Sequence, residues 1–339
     1  MYRLTAKIEI TGAKTWQLDF VTEVEITRDT EKLTDLCKIT LPKKIKWDGE
    51  TEIPVKRGDA VKVWLGYDES NELAFVGYIK EVGFKTPVVL DCEDEMFRLK
   101  QMPAVKKAYK SVTVEQLLKD QGLADIKVMG EQTLGAYRVT SDTVASLLGK
   151  LQESGIRSFF RYEDGKPVLY AGVIFDHGTN ATQVFATGVN IINDQSLEQQ
   201  KADTMRLNVK AVSIMPDNKK IKVEVGDADG ERRTLTTYNK TESQLKAWAE
   251  QEIKRLKRDG LKGSLTTFGY KLADKLDTVG IKIDGTPMGI YQVKKNSRIW
   301  DKLHILKKQE HLSKYKMDVI NFAHIVLFHM QEEECAVEK

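Results

Sequence analysis

The sequence predicts a mainly β protein with α+β parts: two similar small β-barrel domains joined by an α/β unit, the second barrel carrying a helical insert. Three observations lead there. Short runs rich in Val, Ile, Tyr and Phe alternate with period two over the first hundred residues and again beyond about residue 176. Between them, from about Met96 to Phe175, the apolar spacing lengthens to that of helices. One strand–turn–strand pattern is written twice, once in each β region.

Residues 1–100 form the first expected barrel domain. Tyr2–Ile10 puts Leu4, Ala6, Ile8 and Ile10 on one face, and Trp16–Ile26 continues as a second strand with Leu18, Phe20 and Val24. Leu36–Leu41, Ala60–Tyr67, Leu73–Phe84 and Val88–Cys92 complete the set, punctuated by the turn-forming Asp48-Gly49, Arg57-Gly58-Asp59 and Asp68-Glu69-Ser70-Asn71.

Residues 101–175 are the expected α/β connector. Ser111-Val112-Thr113 opens a helix with Leu117 and Leu118 inward and Gly122 as its stop. A second helix begins at Ser141 or Asp142, aligns Val144, Leu147, Leu148 and Leu151, and ends at Gly155. Ile156–Tyr162 and Val168–Ile174 then read as a hairpin about Glu163-Asp164-Gly165-Lys166, since Asp-Gly tolerates the left-handed backbone of a tight turn.

Residues 176–300 are the expected second barrel domain. Its strands are Met205–Ile214, Lys220–Val225, Glu231–Tyr238, Ser264–Phe268, Thr278–Ile283 and Gly289–Lys294. A helix at about 241–260 interrupts them: Thr241 caps it, Gln244 completes a capping box, and Leu245, Trp248, Ala249, Ile253 and Leu256 form one stripe. Residues 301–339, with the apolar run Val319–Met330 and an acidic end, are expected to form a helical C-terminal tail, although an alternating strand would be needed after Lys294 to close the second barrel.

The duplicated pattern reads as two similar β domains in one chain, or as features that any two hairpins share. Arg57-Gly58-Asp59-Ala60-Val61-Lys62-Val63 leads through a turn to Phe75-Val76-Gly77-Tyr78-Ile79-Lys80; Lys275-Leu276-Asp277-Thr278-Val279-Gly280-Ile281 leads to Gly289-Ile290-Tyr291-Gln292-Val293-Lys294. In each, an aspartate ends a tight turn, apolar residues two apart fill one strand face, and a return strand pairs with it.

Balance of charge excludes several classes of function. The 339 residues carry 53 basic and 50 acidic side chains, a net charge of +3, so no global field drives nucleic-acid or membrane binding. Apolar runs fall far short of the roughly 20 residues of a membrane span, and the alternating N-terminus is no signal peptide, so no membrane anchor is expected. Cys37, Cys92 and Cys335 are odd in number and widely spaced, which fits free thiols in a reducing compartment.

The Gly58-Asp59-x-Val61 strand, the Val76-Gly77-Tyr78-Ile79 return, the Val88–Leu90 strand running into Asp91-Cys92-Glu93-Asp94, and the helix start from Lys107–Tyr109 to Val114–Leu118 resemble the late-control protein D family. These are baseplate hub proteins of contractile-tailed phages, similar to the N-terminal part of type VI secretion spike proteins. The resemblance covers roughly residues 1–300 and implies a structural, non-enzymatic role. Two barrels per subunit and three subunits per ring would make a pseudo-sixfold disc joining a tail tube protein to a central spike protein. It further implies a homotrimer made in the bacterial cytoplasm and located in the virion tail baseplate. No catalytic, cofactor-binding or metal-binding residue is expected, and no cofactor.

Other chemistry stays open on particular residues. Asp91, Glu93, Asp94 and Glu95 could supply paired carboxylates to a tail-associated cell-wall hydrolase, or end a strand and cap the next helix. A β-rich glycan-binding or adhesin module is the other alternative, and Arg57-Gly58-Asp59 reads as an adhesion tripeptide or as a turn. His304, His311, His324, His329 and Cys335 have zinc-ligand chemistry without the spacing of a zinc motif. Lys43-Lys44-Ile45-Lys46 and Lys254-Arg255-Leu256-Lys257-Arg258 read as solvated faces balanced by nearby acids, without sequence-specific nucleic-acid binding. Trp248 reads as a core anchor or as part of a subunit interface.

Overall fold

A computed structural model describes residues 4–48, 52–68, 70–83, 85–130, 132–173, 181, 183–193, 197–215, 217, 219–257, 260–268, 273–301 and 322–329. The first β unit comprises β1 (Leu4–Thr11), β2 (Thr15–Leu18), β3 (Glu23–Asp29), β4 (Leu36–Thr40), β5 (Ala60–Tyr67), β6 (Ser70–Val82) and β7 (Val89–Glu93). They lie in the antiparallel order β2-β1-β5-β6-β7-β4-β3. Alternation sends Ile8, Ile10, Val24, Ile26, Ile39, Val61, Val63, Leu65, Ile79 and Leu90 into one core. Each such side chain, fully buried, contributes about 1.5–3 kcal/mol. The single strand expected over Trp16–Ile26 is two, because the chain leaves β1 after Leu18, exposes Phe20, and re-enters beside β4.

The connector follows: α1 (Met96–Leu99), β8 (Ala108–Tyr109), β9 (Val112–Thr113), α2 (Val114–Asp120), β10 (Ile126–Met129), β11 (Thr133–Leu134), β12 (Tyr137–Arg138), α3 (Val144–Glu153), β13 (Arg157–Glu163) and β14 (Lys166–Gly172). The Thr113 hydroxyl accepts the Gln116 N–H at 3.1 Å and caps α2. The cap of α3 is Thr143, not Ser141 or Asp142, because Thr143 and Ser146 exchange side-chain-to-backbone bonds across the first turn. Asp164 and Gly165 both take positive φ, 47° and 81°, as a two-residue hairpin turn requires. Leu117, Leu118, Val144, Leu147, Leu148, Leu151 and Phe160 share the connector core.

The remainder contains β15 (Gln183–Ala186), β16 (Ile191–Asn193), β17 (Glu198–Gln200), β18 (Leu207–Ile214), β19 (Lys220–Gly226), β20 (Glu231–Tyr238), α4 (Glu242–Leu256), β21 (Gly260–Phe268), β22 (Thr278–Ile283), β23 (Thr286–Asp301) and β24 (Phe322–His329). The expected capping box of α4 forms between Thr241 and Gln244. Strands β18–β20, expected within the second barrel, instead make their own sheet in the order β19-β18-β20. Their apolar face is satisfied locally: Leu245 and Ala249 of α4 pack on Val209 and Ala211, with Trp248 alongside. The second β unit proper has the order β15-β22-β23-β24-β21-β16.

Two expectations change here. Within the tail expected to be helical, Phe322–His329 is a strand, β24, lying between β21 and β23. A run of Phe, Ile, Val and Leu suits either state, and two flanking strand edges with open backbone groups decide for the strand. The strand needed after Lys294 also exists, because β23 continues to Asp301. Its half beyond Lys295 pairs antiparallel with β3 of the first unit, from Lys295↔Asp29 to Asp301↔Glu23. Both units therefore share one fourteen-stranded sheet, and among the described residues no barrel closes. The first unit cannot close through β3 because β23 occupies that edge; in the second, β15 and β16 are linked by the single bridge Thr187↔Ile191.

Candidate functional site: a duplicated turn and the charged seam it forms

The duplicated sequence pattern is a duplicated structure. In the first copy the Asp59 carboxylate accepts the Lys56 N–H at 2.9 Å, the Asp59 N–H donates to the Lys56 carbonyl, and Gly58 and Asp59 bond to both backbone groups of Ile79. In the second the Asp277 carboxylate accepts the Asp274 N–H at 2.7 Å, the Asp277 N–H donates to the Asp274 carbonyl, and Leu276 and Asp277 bond to both backbone groups of Val293. Gly58 and Leu276, at the same turn position, have φ of 93° and 72°. The ladders then run in the same register, Ala60↔Tyr78 against Thr278↔Gln292. Both slip at the fourth residue after the aspartate, at Val63/Trp64 and Ile281/Lys282. Both slip again on the far side of the return strand, at Ile79/Glu81 and Val293/Lys295. That register makes β24 the counterpart of β7: Leu327 opposes Val293 as Cys92 opposes Ile79.

The two turns differ in surroundings. Arg57 is exposed, its guanidinium over the Phe97 ring at 5.4 Å. Its counterpart Lys275 is wholly buried at the seam where the first unit, the connector and the second unit meet. Lys275 Nζ bonds both Asp35 carboxylate oxygens at 2.7 Å and lies 4.8 Å from the centre of the Phe159 ring. Asp35 precedes β4 and faces Asp94, which follows β7: the Asp94 carboxylate accepts the Asp35 N–H at 3.2 Å and the Met96 N–H at 3.1 Å.

Arg28 of β3 reaches Asp274 at 3.3 Å and donates to the Ala74 carbonyl. Arg161 of β13 donates to Asp277 at 2.8 Å. The chain of charge continues through the connector, where Tyr170 and Lys127 bond Glu163 at 2.5 and 2.6 Å. A crevice of about 50 Å³, room for a water or two, opens between Arg28, Asp35, Asp94, Arg161 and Asp274. Burial raises the Asp35 carboxyl against the pull of Lys275 and Arg28. Burial, with the Asp35 charge beside it, pushes Asp94 up to about 8.

The other sequence candidates are scattered or already engaged. Glu93 is buried; burial alone would raise it, but Lys100 at 2.6 Å and Lys80 at 3.2 Å hold it below the usual carboxylate range. Glu95 pairs with Arg98, and Asp91 is exposed on β7. Arg57-Gly58-Asp59 is the turn described above, with Asp59 buried into it. Lys43, Lys44 and Lys46 are exposed. Lys254 is exposed, Lys257 bonds Asp227 at 2.6 Å, and Arg258 lies outside the described residues. Cys37 and Cys92 are buried and directly opposed on β4 and β7, where burial raises both thiols. His324 and His329 fall on β24; His304, His311 and Cys335 lie outside the described residues. Sequence reasoning missed the seam. Its one local signal was the doublet Lys275/Asp277 inside the repeat, while Asp35 and Arg28 stand some 240 residues away.

No family model matches the sequence, and no curated protein matches it. Solved structures match in fold. A tail protein from Neisseria meningitidis aligns at a TM-score of 0.62 and 13% identity, over 96% of each chain. The 43 kDa tail protein of prophage MuSo2 from Shewanella oneidensis aligns at 0.59 and 16%, over 96% of this chain and 97% of that one. An Escherichia coli type VI secretion component, described as structurally similar to bacteriophage T4 tail proteins gp27 and gp5, aligns at 0.52 and 9%, over 96% and 77%. The chain has the fold of phage tail proteins, the resemblance expected from its strand–turn–strand motifs.

Proposed function

We propose that this chain is a structural hub of a contractile phage tail or phage-like injection system baseplate, a homotrimeric ring joining the tail tube to a central spike. The observation that carries this reading is the duplication. Two β units with one turn, the same register slips and one strand order, differing in that β15 runs parallel to β22 where β1 runs antiparallel to β5, give each chain two quasi-equivalent faces, so three chains can present six similar faces to a sixfold tube and three to a spike. The shared fold with tail proteins supports the same class of machine. Assembly in a ring also covers edge strands such as β2, which carries open backbone groups on one side.

The hub acts by contact and without turnover. Glu93, on which a hydrolase reading depends, is held by Lys80 and Lys100, and both Asp94 oxygens accept backbone N–H groups. Light scattering of the purified chain tests the reading: a mass three times that of the chain, with ring-shaped particles in negative stain, is expected. A strict monomer at high concentration overturns it. Clearing of a peptidoglycan zymogram that is lost on Glu93→Gln would favour the hydrolase instead.

A further inference from the structure

The seam buries one carboxylate, Asp94, that no cation pairs with among the described residues, and that has a structural use. Arg28, Lys275 and Arg161 face Asp35, Asp94, Asp274 and Asp277 across a crevice of about 50 Å³, and the ion pairs among them leave out Asp94. Asp35 and Asp94 are 5% exposed each, and Lys275 is not exposed at all. Two adjacent buried carboxylates of which only one is ion-paired cannot both ionise without a large cost. Asp35 takes both bonds from Lys275 while Asp94 forms no ion pair among the described residues, so the proton belongs on Asp94, although the Asp35 and Met96 N–H groups by themselves favour its charged form.

We propose that the seam between the two β units is a proton-dependent joint: a proton held on Asp94 against Asp35 keeps the Asp274–Asp277 turn seated, and its loss loosens that turn. The inference concerns the fold and stands apart from the hub reading. The charged groups around Asp94 come from every neighbouring element: Asp35 from the β3–β4 connection, Arg28 from β3, Lys275 and Asp274 from the turn, Arg161 from β13, and Glu93 and Glu95 beside it in the chain. Arg298 of β23 stands behind Arg28.

The sign follows from linkage. An aspartate free in the unfolded chain loses its proton near 3.8, whereas folded Asp94 keeps it to about 8. Between those values the folded state holds a proton that the unfolded state lacks. The stability so gained is complete below the lower value and is lost as pH rises through the upper one.

The experiment compares thermal unfolding of the wild type and Asp94→Asn from pH 5 to pH 9, with limited proteolysis of the turn at both ends. Asparagine keeps the shape and the acceptor and removes the charge. The wild-type melting temperature should fall across this range while that of Asp94→Asn falls by less than half as much. At pH 6 the wild type should release about one more proton on unfolding than the variant. Cleavage within Asp274–Asp277 should rise at pH 9 in the wild type alone. Parallel profiles, or equal cleavage, overturn the proposal. Should Asp94→Asn not fold, carbon-13 titration of the wild-type Asp94 carboxyl decides: a midpoint near 8 supports the joint and one near 4 overturns it.

Discussion

Lys275 shows how much a single buried charge depends on its partner. Its ammonium has left water entirely and is compensated by Asp35 and the face of Phe159. Replacing it with methionine would fill the space but strand the Asp35 carboxylate, a change that costs about 3–5 kcal/mol. Chemical denaturation should show that loss for Lys275→Met, and most of it should return in the double variant Lys275→Met/Asp35→Asn; a double variant as weak as the single one would assign the loss to packing. Gly58 offers a cleaner residue-scale test. Nothing lies within 4 Å of where its Cβ would stand, so Gly58→Ala meets only the left-handed backbone at φ 93°. It should cost about 1–2 kcal/mol with no change in the slope of the denaturation curve. The sequence carried the glycine and the aspartate of this turn plainly, but the positive φ of Leu276 at the same turn position could not be read, because its conformation is imposed by the buried cluster around Phe159 and Tyr170.

At the scale of elements, legibility followed how locally each one is determined. Strands β5, β20 and β22 and the cap of α4 stand where alternation and the Thr241/Gln244 spacing put them, since both signals are carried within a few residues. Helix α4 depends on that cap and on one apolar stripe, so Thr241→Ala should cost about 1 kcal/mol and fray its first turn. Faster amide exchange at Gln244 and Leu245, with exchange in β5 unchanged, is the measurement. Strand β24 was illegible for the opposite reason. Its apolar run has no periodicity of its own, and the edges of β21 and β23 that define it lie far away in sequence. The break between β2 and β3 was hidden likewise, because the two stretches share an alternation but pair with different strands.

Across the whole molecule, the two β units are joined twice: by the ladder of β23 on β3 and by the charged seam. A continuous ladder transmits order because its backbone bonds form or break together, whereas the seam couples units through a few groups that are costly to expose singly. The units should therefore unfold in one calorimetric transition. Ser297 is the place to separate them, since it pairs with Thr27 of β3 on one side and His324 of β24 on the other. Proline there removes a donor in the interior of a sheet, where proline is otherwise excluded, at a residue that is not itself a member of the Lys275 cluster. Ser297→Pro should split the transition in two, with the earlier one reporting the second unit. If the split transition merges again when the pH is lowered, the protonated seam alone is enough to couple the units. If it stays split at every pH, the ladder carries the coupling and the seam only fixes the angle at which the second unit sits.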